Sequence, residues 1–471
     1  MKAFQSNKFS VTPEIAELLD AVAEVALPMI AGGAVRDWLL GKESKDLDVE
    51  VFGCSWEALI QVLEMYGKVS VVGKSFGVAK VNCSDLEIDF ALPRSEIKTA
   101  DGHRGFDITS DPNLDPQQAA LRRDFTLNAI FYNWKDKKLV DPLNGRSDLG
   151  NRVLKHCSSA FSEDPLRVLR GFQFCSRFQL TTAEETLISC RNILDDFDQL
   201  PTERVWMEWE KWATRSTKPS LGLKFLQATG WLAHFPEINA LVDCPQDPKW
   251  HPEGDVFVHT GHCLDALVES DPFKNADRLD RLTLMFGVLC HDFGKPQTTV
   301  KRLKQGEPRW VSPRHDQEGM PLSESFLLSI GAPASIIPKV QALVGSHMAS
   351  IQIKSSPSLP QVRRLASRVS PATMNQLFAV IRADLAGRPP LSPEPSQGLL
   401  LLEEAASEEK LSENAPQPLV LGRHLIERGL QPGTYFKIIL DELFEHQLDG
   451  HFSSLGEGEP YIEKSCKRYF S

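Results

Sequence analysis

Long apolar runs, paired cysteines and excess positive charge are all missing from this chain. No uninterrupted apolar stretch among the 471 residues approaches the roughly 20 needed to span a bilayer. The opening Met1-Lys2-Ala3-Phe4-Gln5-Ser6 lacks the charged-then-apolar order of a secretory signal, so a cytoplasmic protein is the expectation. Nine cysteines are scattered, odd in number and without a CxxC pair, which argues against a disulfide framework and against a cysteine zinc site. Cations are also in deficit: 52 Lys and Arg stand against 63 Asp and Glu, a formal net charge of -11. Phosphate contacts supply much of the affinity for nucleic acid, so any such surface here has to be local. Arg122, Arg123, Arg152, Arg167, Arg170 and Arg177 could provide one, and the acids near Glu403, Glu404, Glu408, Glu409 and Glu413, read as linker, dilute the whole-chain value. The length suits two or three domains, and 42% hydrophobic with 24% charged residues fits a soluble globular protein.

What is present begins at Gly32-Gly33-Ala34-Val35-Arg36-Asp37. Adjacent glycines let a bulky anion approach the backbone, and the planar fork of Arg36 can meet phosphate oxygens, so the segment reads as a triphosphate seat. Downstream, Asp46 and Asp48 alternate with Leu47, Val49 and Val51. On a strand that spacing puts both carboxylates on one face, a site for magnesium, a hard cation that shares its shell with substrate phosphates. Either signal alone is commonplace: Gly-Gly is a frequent turn and Asp-x-Asp a frequent solvated strand edge. Asp89, in a second alternating segment, is a candidate third carboxylate or a surface strand acid.

Leu121-Arg122-Arg123-Asp124-Phe125-Thr126-Leu127-Asn128-Ala129 sets two guanidinium groups before an acid and an apolar run. In Ser162-Glu163-Asp164-Pro165-Leu166-Arg167-Val168-Leu169-Arg170, a capping serine, acids and an early proline mark a helix start. Asp164, Arg167 and Arg170 recur at threes on one face, opposite Val168, Leu169, Phe172 and Cys175. An acceptor beside a donor can match the hydrogen-bonding edge of a base, with a second Arg left for phosphate.

GGAVRD, DLD, RRDFTLNA and EDPLRVLR, in this order, resemble the class II (bacterial-type) tRNA nucleotidyltransferase and poly(A) polymerase family. Pro201-Thr202-Glu203-Arg204-Val205-Trp206-Met207-Glu208 looks like that family's ERxxxE neck helix; by itself it reads as an amphipathic helix burying Trp206 and Trp209, with a mainly structural role. The resemblance implies an α+β protein whose head, 1–150, has the polymerase-β-like nucleotidyltransferase fold with a mixed sheet, followed by a helical neck, 151–238. It implies transfer of nucleotides from CTP and ATP to a tRNA 3′ end, with two magnesium ions on Asp46 and Asp48. Gly32 and Gly33 would seat the triphosphate, Arg36, Arg122, Arg123 and Arg170 would neutralise it, and Asp164 with Arg167 would read the base. Residues Pro93 to Phe106 resemble the family's flexible loop, which argues against a CC-only enzyme. Full CCA addition, A-only addition and poly(A) synthesis share these motifs and stay open.

A second constellation follows. His259-Thr260-Gly261-His262 precedes a helical run, and His291-Asp292 closes the apolar stretch from Leu282, ahead of Phe293-Gly294-Lys295. A buried His-Asp pair needs satisfying partners, which a divalent metal supplies well, although a histidine bonded to its own chain is the commoner case. With Asp384 downstream, the order H…HD…D resembles the HD phosphohydrolase superfamily, and His315 and His347 fall where some members place extra ligands. The implied architecture adds an all-α HD domain, 239–388, able to hydrolyse esters such as 2′,3′-cyclic phosphates with an unidentified divalent metal. A linker with an acidic helix, 389–418, and a small helical tail, 419–471, complete the chain. An HD phosphohydrolase carrying a non-catalytic RNA-binding head is the alternative of another class.

Overall fold

A computed structural model describes residues 9–44, 46–72, 77–83, 86–98, 106–304 and 306–468. It divides into two compact units: one runs to Trp212 and includes Leu221–His234, and the other holds Ala213–Ser220 and the chain from Phe235 onward.

The first unit is built on a seven-stranded sheet. Its strands are β1 (Leu27–Ala31), β2 (Leu47–Phe52), β3 (Val69–Val72), β4 (Val78–Cys83), β5 (Leu86–Ala91), β8 (Phe131–Asn133) and β9 (Lys138–Val140). The intervening β6 (Arg94–Lys98) and β7 (Phe106–Ser110) pair apart from it as an antiparallel ribbon. The order is β3-β4-β5-β2-β1-β8-β9, with β2 and β5 parallel and the other neighbours antiparallel. Period-two alternation explains the central strand: Leu47, Val49 and Val51 are buried while Asp48 and Glu50 take the opposite face. Of the expected flexible loop, Arg94–Lys98 is strand, and residues 99–105 lie outside the described residues.

Two helices of this unit carry motifs singled out in the sequence. Leu166–Phe178 buries Val168, Leu169, Phe172 and Cys175 as its periodicity requires. Phe172 meets Trp209 at 4.7 Å and Trp212 at 5.4 Å between ring centroids. Thr202–Arg215 therefore buries Trp209 and Trp212, whereas Trp206, expected inside, is only half-buried. Spacing alone does not separate them, since 206, 209 and 212 recur at threes; Phe172 packs on the side of 209 and 212.

The second unit is helical among its described residues except for one hairpin, Val300–Lys304 against Glu307–Val311. Helices Val256–Glu269, Arg278–Cys290, His315–Ser329, Ile337–Val344 and Met374–Ala386 form its core, with Leu264, Met285, Phe286 and Leu343 fully buried. The acidic helix expected within 389–418 is Gln397–Glu408; it packs on the unit, burying Leu399, Leu402 and Ala406 and pairing Glu403 with Arg382 at 2.6 Å. Among its described residues the tail holds three helices, Gly422–Ile426, Tyr435–Leu448 and Leu455–Lys467. They close over a cluster of Val420, Leu425, Leu430, Ile439, Leu443, Phe452 and Ile462.

Candidate nucleotide and metal sites

On the polar face of the sheet, a cavity of about 290 Å³ is lined by residues that include Asp48, Glu50, Asp89, Arg122 and Arg123. Asp48 and Asp89 are direct partners in the parallel β2–β5 register, which places both carboxylates at one level. Asp46 does not share the strand, because β2 starts at Leu47; it stands at the strand's entry, exposed. Partial burial pushes the Asp48 carboxyl above the ordinary aspartate value; Arg123 opposes this and the like charges of Asp89 and Asp46 add to it. Two carboxylates level on adjacent strands, with Lys80 3.1 Å from Asp89, are oxygen donors of the type a hard divalent cation takes, so the residues present fit magnesium. Arg123 closes the cavity, bonded to Glu50 at 2.7 Å and lying 5.0 Å over the Phe131 ring. Gly32 has φ +65°, and a Cβ there would sit 3.2 Å from an Arg123 nitrogen and 3.6 Å from Asp48 Oδ2. Glycine is thus required twice, by conformation and by the closeness of the acid-arginine pair.

Arg36 is placed differently from expectation. It is buried, pairs with Asp37 at 2.8 Å, bonds Asn128 through Nη1 and lies 4.6 Å over the Phe178 ring. Burial lowers its pKa against the opposing pull of Asp37. Asp37 also meets Arg177 at 3.3 Å, Asn128 donates to Asp124 at 3.0 Å, and Asp124 accepts from Arg170 Nε at 2.7 Å. Burial alone would raise the Asp124 carboxyl, but Arg170, Asn128 and the Phe125 N–H hold it below the ordinary value. Arg177, Asp37, Arg36, Asn128, Asp124 and Arg170 thus form one polar chain that ties the GGAVRD, RRDFTLNA and EDPLRVLR segments together. Arg36 and Arg170, expected to face phosphate, are engaged in it: Arg36 is buried, where a guanidinium needs an anionic partner, while the Arg170 side chain is 34% exposed.

The helix expected to start near Ser162 begins later. Ser159–Glu163 is a 3-10 turn, and Asp164 takes the capping place, its Oδ1 accepting from the Leu166 N–H at 3.1 Å with Pro165 next in line. Its other oxygen accepts from Arg204 at 2.9 Å. Arg167 donates to the carbonyls of Ala160 at 2.7 Å and Arg122 at 2.8 Å, two uses of a five-donor group.

In the second unit all six expected ligands converge. His259 Nε2 is 3.2 Å from Asp384 and 3.8 Å from Asp292; His291 Nε2 is 3.1 Å and His315 Nε2 3.4 Å from Asp292; His315 and His347 meet through Nε2 at 3.1 Å. His291, His315 and His347 each hold a backbone carbonyl through Nδ1 at 2.7 Å, those of Val288, Ser312 and Val344. A carbonyl only accepts, so Nδ1 carries the proton and Nε2 presents its lone pair to the centre. Glu253 accepts from His259 Nδ1 at 2.7 Å; against burial, which lowers it, Cys263, Asp384 and Glu253 hold the His259 pKa well above the ordinary value, so a metal there displaces a proton from Nε2. Burial, with the nearby His315 and His291, lowers His347 to about 3, keeping it neutral. His291 Nε2, a buried acceptor without a hydrogen bond, faces Asp292 Oδ2 at 3.1 Å, and Lys295 Nζ approaches that same oxygen at 2.7 Å. Opposed lone pairs of this kind, in a nitrogen and carboxylate set, fit a divalent transition metal. Gly294 makes the geometry possible: a Cβ on it would lie 2.1 Å from the His315 carbonyl, so only glycine lets His315 approach.

Residues 28–155 match the poly(A) polymerase head domain family. The chain is 34% identical over 371 residues to the multifunctional CCA protein of Tolumonas auensis, covering 76% of this chain and 84% of that one. Against the multifunctional CCA protein of Methylobacillus flagellatus it is 33% identical over 365 residues, covering 76% and 83%. The chain belongs to the class II tRNA nucleotidyltransferase family. Solved structures agree on the fold of this nucleotidyltransferase. A CCA-adding enzyme in complex with CTP aligns with a TM-score of 0.61 at 19% identity, covering all of both chains. The Bacillus stearothermophilus CCA-adding enzyme in complex with CTP gives 0.65 at 18% identity, over 98% of this chain and 99% of that one. The nucleotidyltransferase head is therefore polymerase-β-like, with a helical body after it.

Four residues at the candidate nucleotide site carry no role in the sequence reading. Glu50 was legible, since it continues the alternation of Asp46 and Asp48. Asn128 and Asp124 stood inside a recognised motif without a role. Arg204, read as structural, holds Asp164 across 40 residues of chain, a pairing that no local spacing signals.

Proposed function

We propose that the first unit adds C and A residues to the 3′ end of tRNA from CTP and ATP, without a nucleic-acid template and in the cytoplasm. The observation that carries this reading is the grouping of Asp48, Asp89 and Arg123 around one cavity beside Gly32, in a chain 34% identical over 371 residues to a multifunctional CCA protein. In the reaction the RNA 3′-hydroxyl oxygen bonds to the α-phosphorus, the bond to the β-phosphate bridge breaks, and pyrophosphate leaves. Asp46, Asp48 and Asp89 would hold magnesium, which when bound activates the attacking oxygen and steadies the leaving group. Gly32 and Gly33 admit the triphosphate to the backbone, and Arg122 and Arg123 offset its charge. Arg36 and Arg170 keep the motif-spanning polar chain in register, a positioning role.

Asp164 accepts from the base and Arg167 donates to it. Adenine and cytosine both present an exocyclic amine where guanine and uracil present a carbonyl, so a carboxylate acceptor separates the two pairs. The test is incorporation of CTP and ATP, separately and together, into tRNA transcripts ending before CCA, after C and after CC, with generic RNA as control. Two C residues and then one A is the expected result. A on the CC-ended transcript alone would replace it with A-only addition, and long A tails on any RNA with poly(A) synthesis.

The convergence of His259, His291, Asp292, Asp384, His315 and His347 supports a second activity, hydrolysis of phosphate esters such as 2′,3′-cyclic phosphates. Those side chains would hold one or two divalent ions, which when bound polarise the ester and generate the nucleophile from water. Lys295, 2.7 Å from Asp292 and held by Gln246 at the same distance, adds positive charge where a phosphate would sit. Hydrolysis of 2′,3′-cyclic AMP by the full chain with added manganese, lost in Asp292→Ala, is the expected outcome; equal turnover in the variant would refute it.

A further inference from the structure

The ester-hydrolysing cluster opens into a cavity of about 720 Å³, larger than the cluster itself needs. Its walls carry Trp250, Trp310, Lys295, Lys304 and Arg388. Trp250 is 56% exposed, which is expensive for the largest apolar side chain unless something covers it. Arg388 lines the same space, and its buried Nε has no hydrogen-bond partner.

Beside the cavity stands the hairpin Val300–Lys304 and Glu307–Val311. It holds four cations, Lys301, Arg302, Lys304 and Arg309, against the single acid Glu307, in a chain whose net charge is -11. Its first strand is exposed at every position, and Lys301 lies 4.7 Å over the Trp310 ring. Both ends are fixed at the cluster. The hairpin follows Lys295, is closed by Thr299 and Ser312 at 2.8 Å, and runs directly into His315. Arg309 anchors it to Asp247 at 3.3 Å.

Aromatic faces interleaved with cations are the means by which proteins hold single-stranded nucleic acid. Lys301 and Arg302 do not line the cavity, so a ligand confined to it would leave them unused, whereas the phosphates upstream of a terminal nucleotide would reach them. We propose that this surface docks the single-stranded 3′ end of an RNA, with terminal bases on Trp250 and Trp310, upstream phosphates along Lys301, Arg302 and Lys304, and the terminal phosphoester at Arg388 and the metal-binding cluster. This rests on the phosphohydrolase reading above and names its substrate as an RNA end, not a free nucleotide.

The test uses the full chain with manganese and two substrates, 2′,3′-cyclic AMP and a short single-stranded oligoribonucleotide ending in a 2′,3′-cyclic phosphate. In Lys301→Glu/Arg302→Glu the ratio of kcat/KM on the oligomer to that on the mononucleotide falls at least tenfold. The salt dependence on the oligomer becomes shallower by roughly 0.7 in log–log slope for each phosphate the variant no longer neutralises. Trp310→Ala lowers kcat/KM on the oligomer roughly fivefold to a hundredfold, and Trp310→Phe restores most of it by stacking. An unchanged ratio and salt slope in the charge variant overturns the proposal. Should the parent protein hydrolyse neither substrate, the phosphohydrolase reading fails, and docking is decided by photocrosslinking the same oligomer carrying 4-thiouridine near its 3′ end. Crosslinks in the hairpin that disappear in the charge variant support the proposal; crosslinks confined to residues of the first unit overturn it.

Discussion

Asp164→Asn separates reading a base from holding a helix. Asp164 does two structural things: Oδ1 caps the helix Leu166–Phe178 at 3.1 Å and Oδ2 takes a hydrogen bond from Arg204 at 2.9 Å. Asparagine caps a helix as well as aspartate, so the first contribution survives. The second is an ion pair with side chains 34% and 30% exposed, worth about 0.2–1 kcal/mol after screening. Asp164→Asn should therefore destabilise by less than about 1 kcal/mol, a shift of only a few degrees in Tm. Asp164→Ala, losing cap and pair together, should cost about 1–3 kcal/mol. Function responds in the other order. Replacing a charged acceptor with an amide removes a hydrogen bond to the amine of A and C, about 1.5–3 kcal/mol or roughly 10- to 150-fold. The amide N–H can also donate to the carbonyl of G or U. Single-turnover incorporation of the four nucleotides into a tRNA transcript lacking CCA, beside thermal unfolding, measures both. An unchanged ranking of the four nucleotides in Asp164→Asn would show that Asp164 only caps the helix.

Asp48→Ala should reduce incorporation at least about a hundredfold, the usual loss for a charge-stabilising group, with an unaltered circular dichroism spectrum; residual turnover above that would move the magnesium site elsewhere. Gly32→Ala must adopt φ +65° and ψ -126° and displace Arg123, so a strain of about 1–3 kcal/mol should appear as a lower Tm together with a raised KM for nucleotide. A raised KM with unchanged Tm would refute the strain argument. His291→Ala should abolish stoichiometric divalent-metal binding by the second unit in a calorimetric titration while CTP incorporation persists, and retained binding would remove His291 from the ligand set. For Glu253, burial favours the neutral acid, but hydrogen bonds with His251 and His259 hold its pKa down at about 2 against an ordinary 4.5. A depressed carboxyl stabilises the fold above pH 4.5 and loses that contribution as pH falls toward 2, so Glu253→Gln should flatten the acid limb of metal-free unfolding; an unchanged limb would show that another carboxylate governs it.

The motifs carried their chemistry in residue type and short spacing, which is why so much of both sites was legible. Alternation around Asp48 predicted a half-buried strand, and β2 is one. Threes from Asp164 to Arg170 predicted one helical face, and the apolar residues opposite it are buried. His259, His291, Asp292 and Asp384 were named from their types and order alone, and the fold brings them together around one centre. Each of these readings rests on a period of two or 3.6, or on a donor set, properties that belong to a local stretch of chain.

Where side chains compete for partners, local pattern is silent. Nothing near Arg36 announces that Asn128 will take its guanidinium, nor near Asp164 that Arg204 will. Trp212 is buried in preference to Trp206 because Phe172 arrives on that side. The sequence by itself determined the alternation that makes β2, the periodicity that buries one face of Leu166–Phe178, and which donor types could meet phosphate, magnesium or a transition metal. Only the tertiary structure decided which cations face a ligand and which are consumed in the interior. Burying a charge demands a partner, and long-range packing settles which partner is within reach.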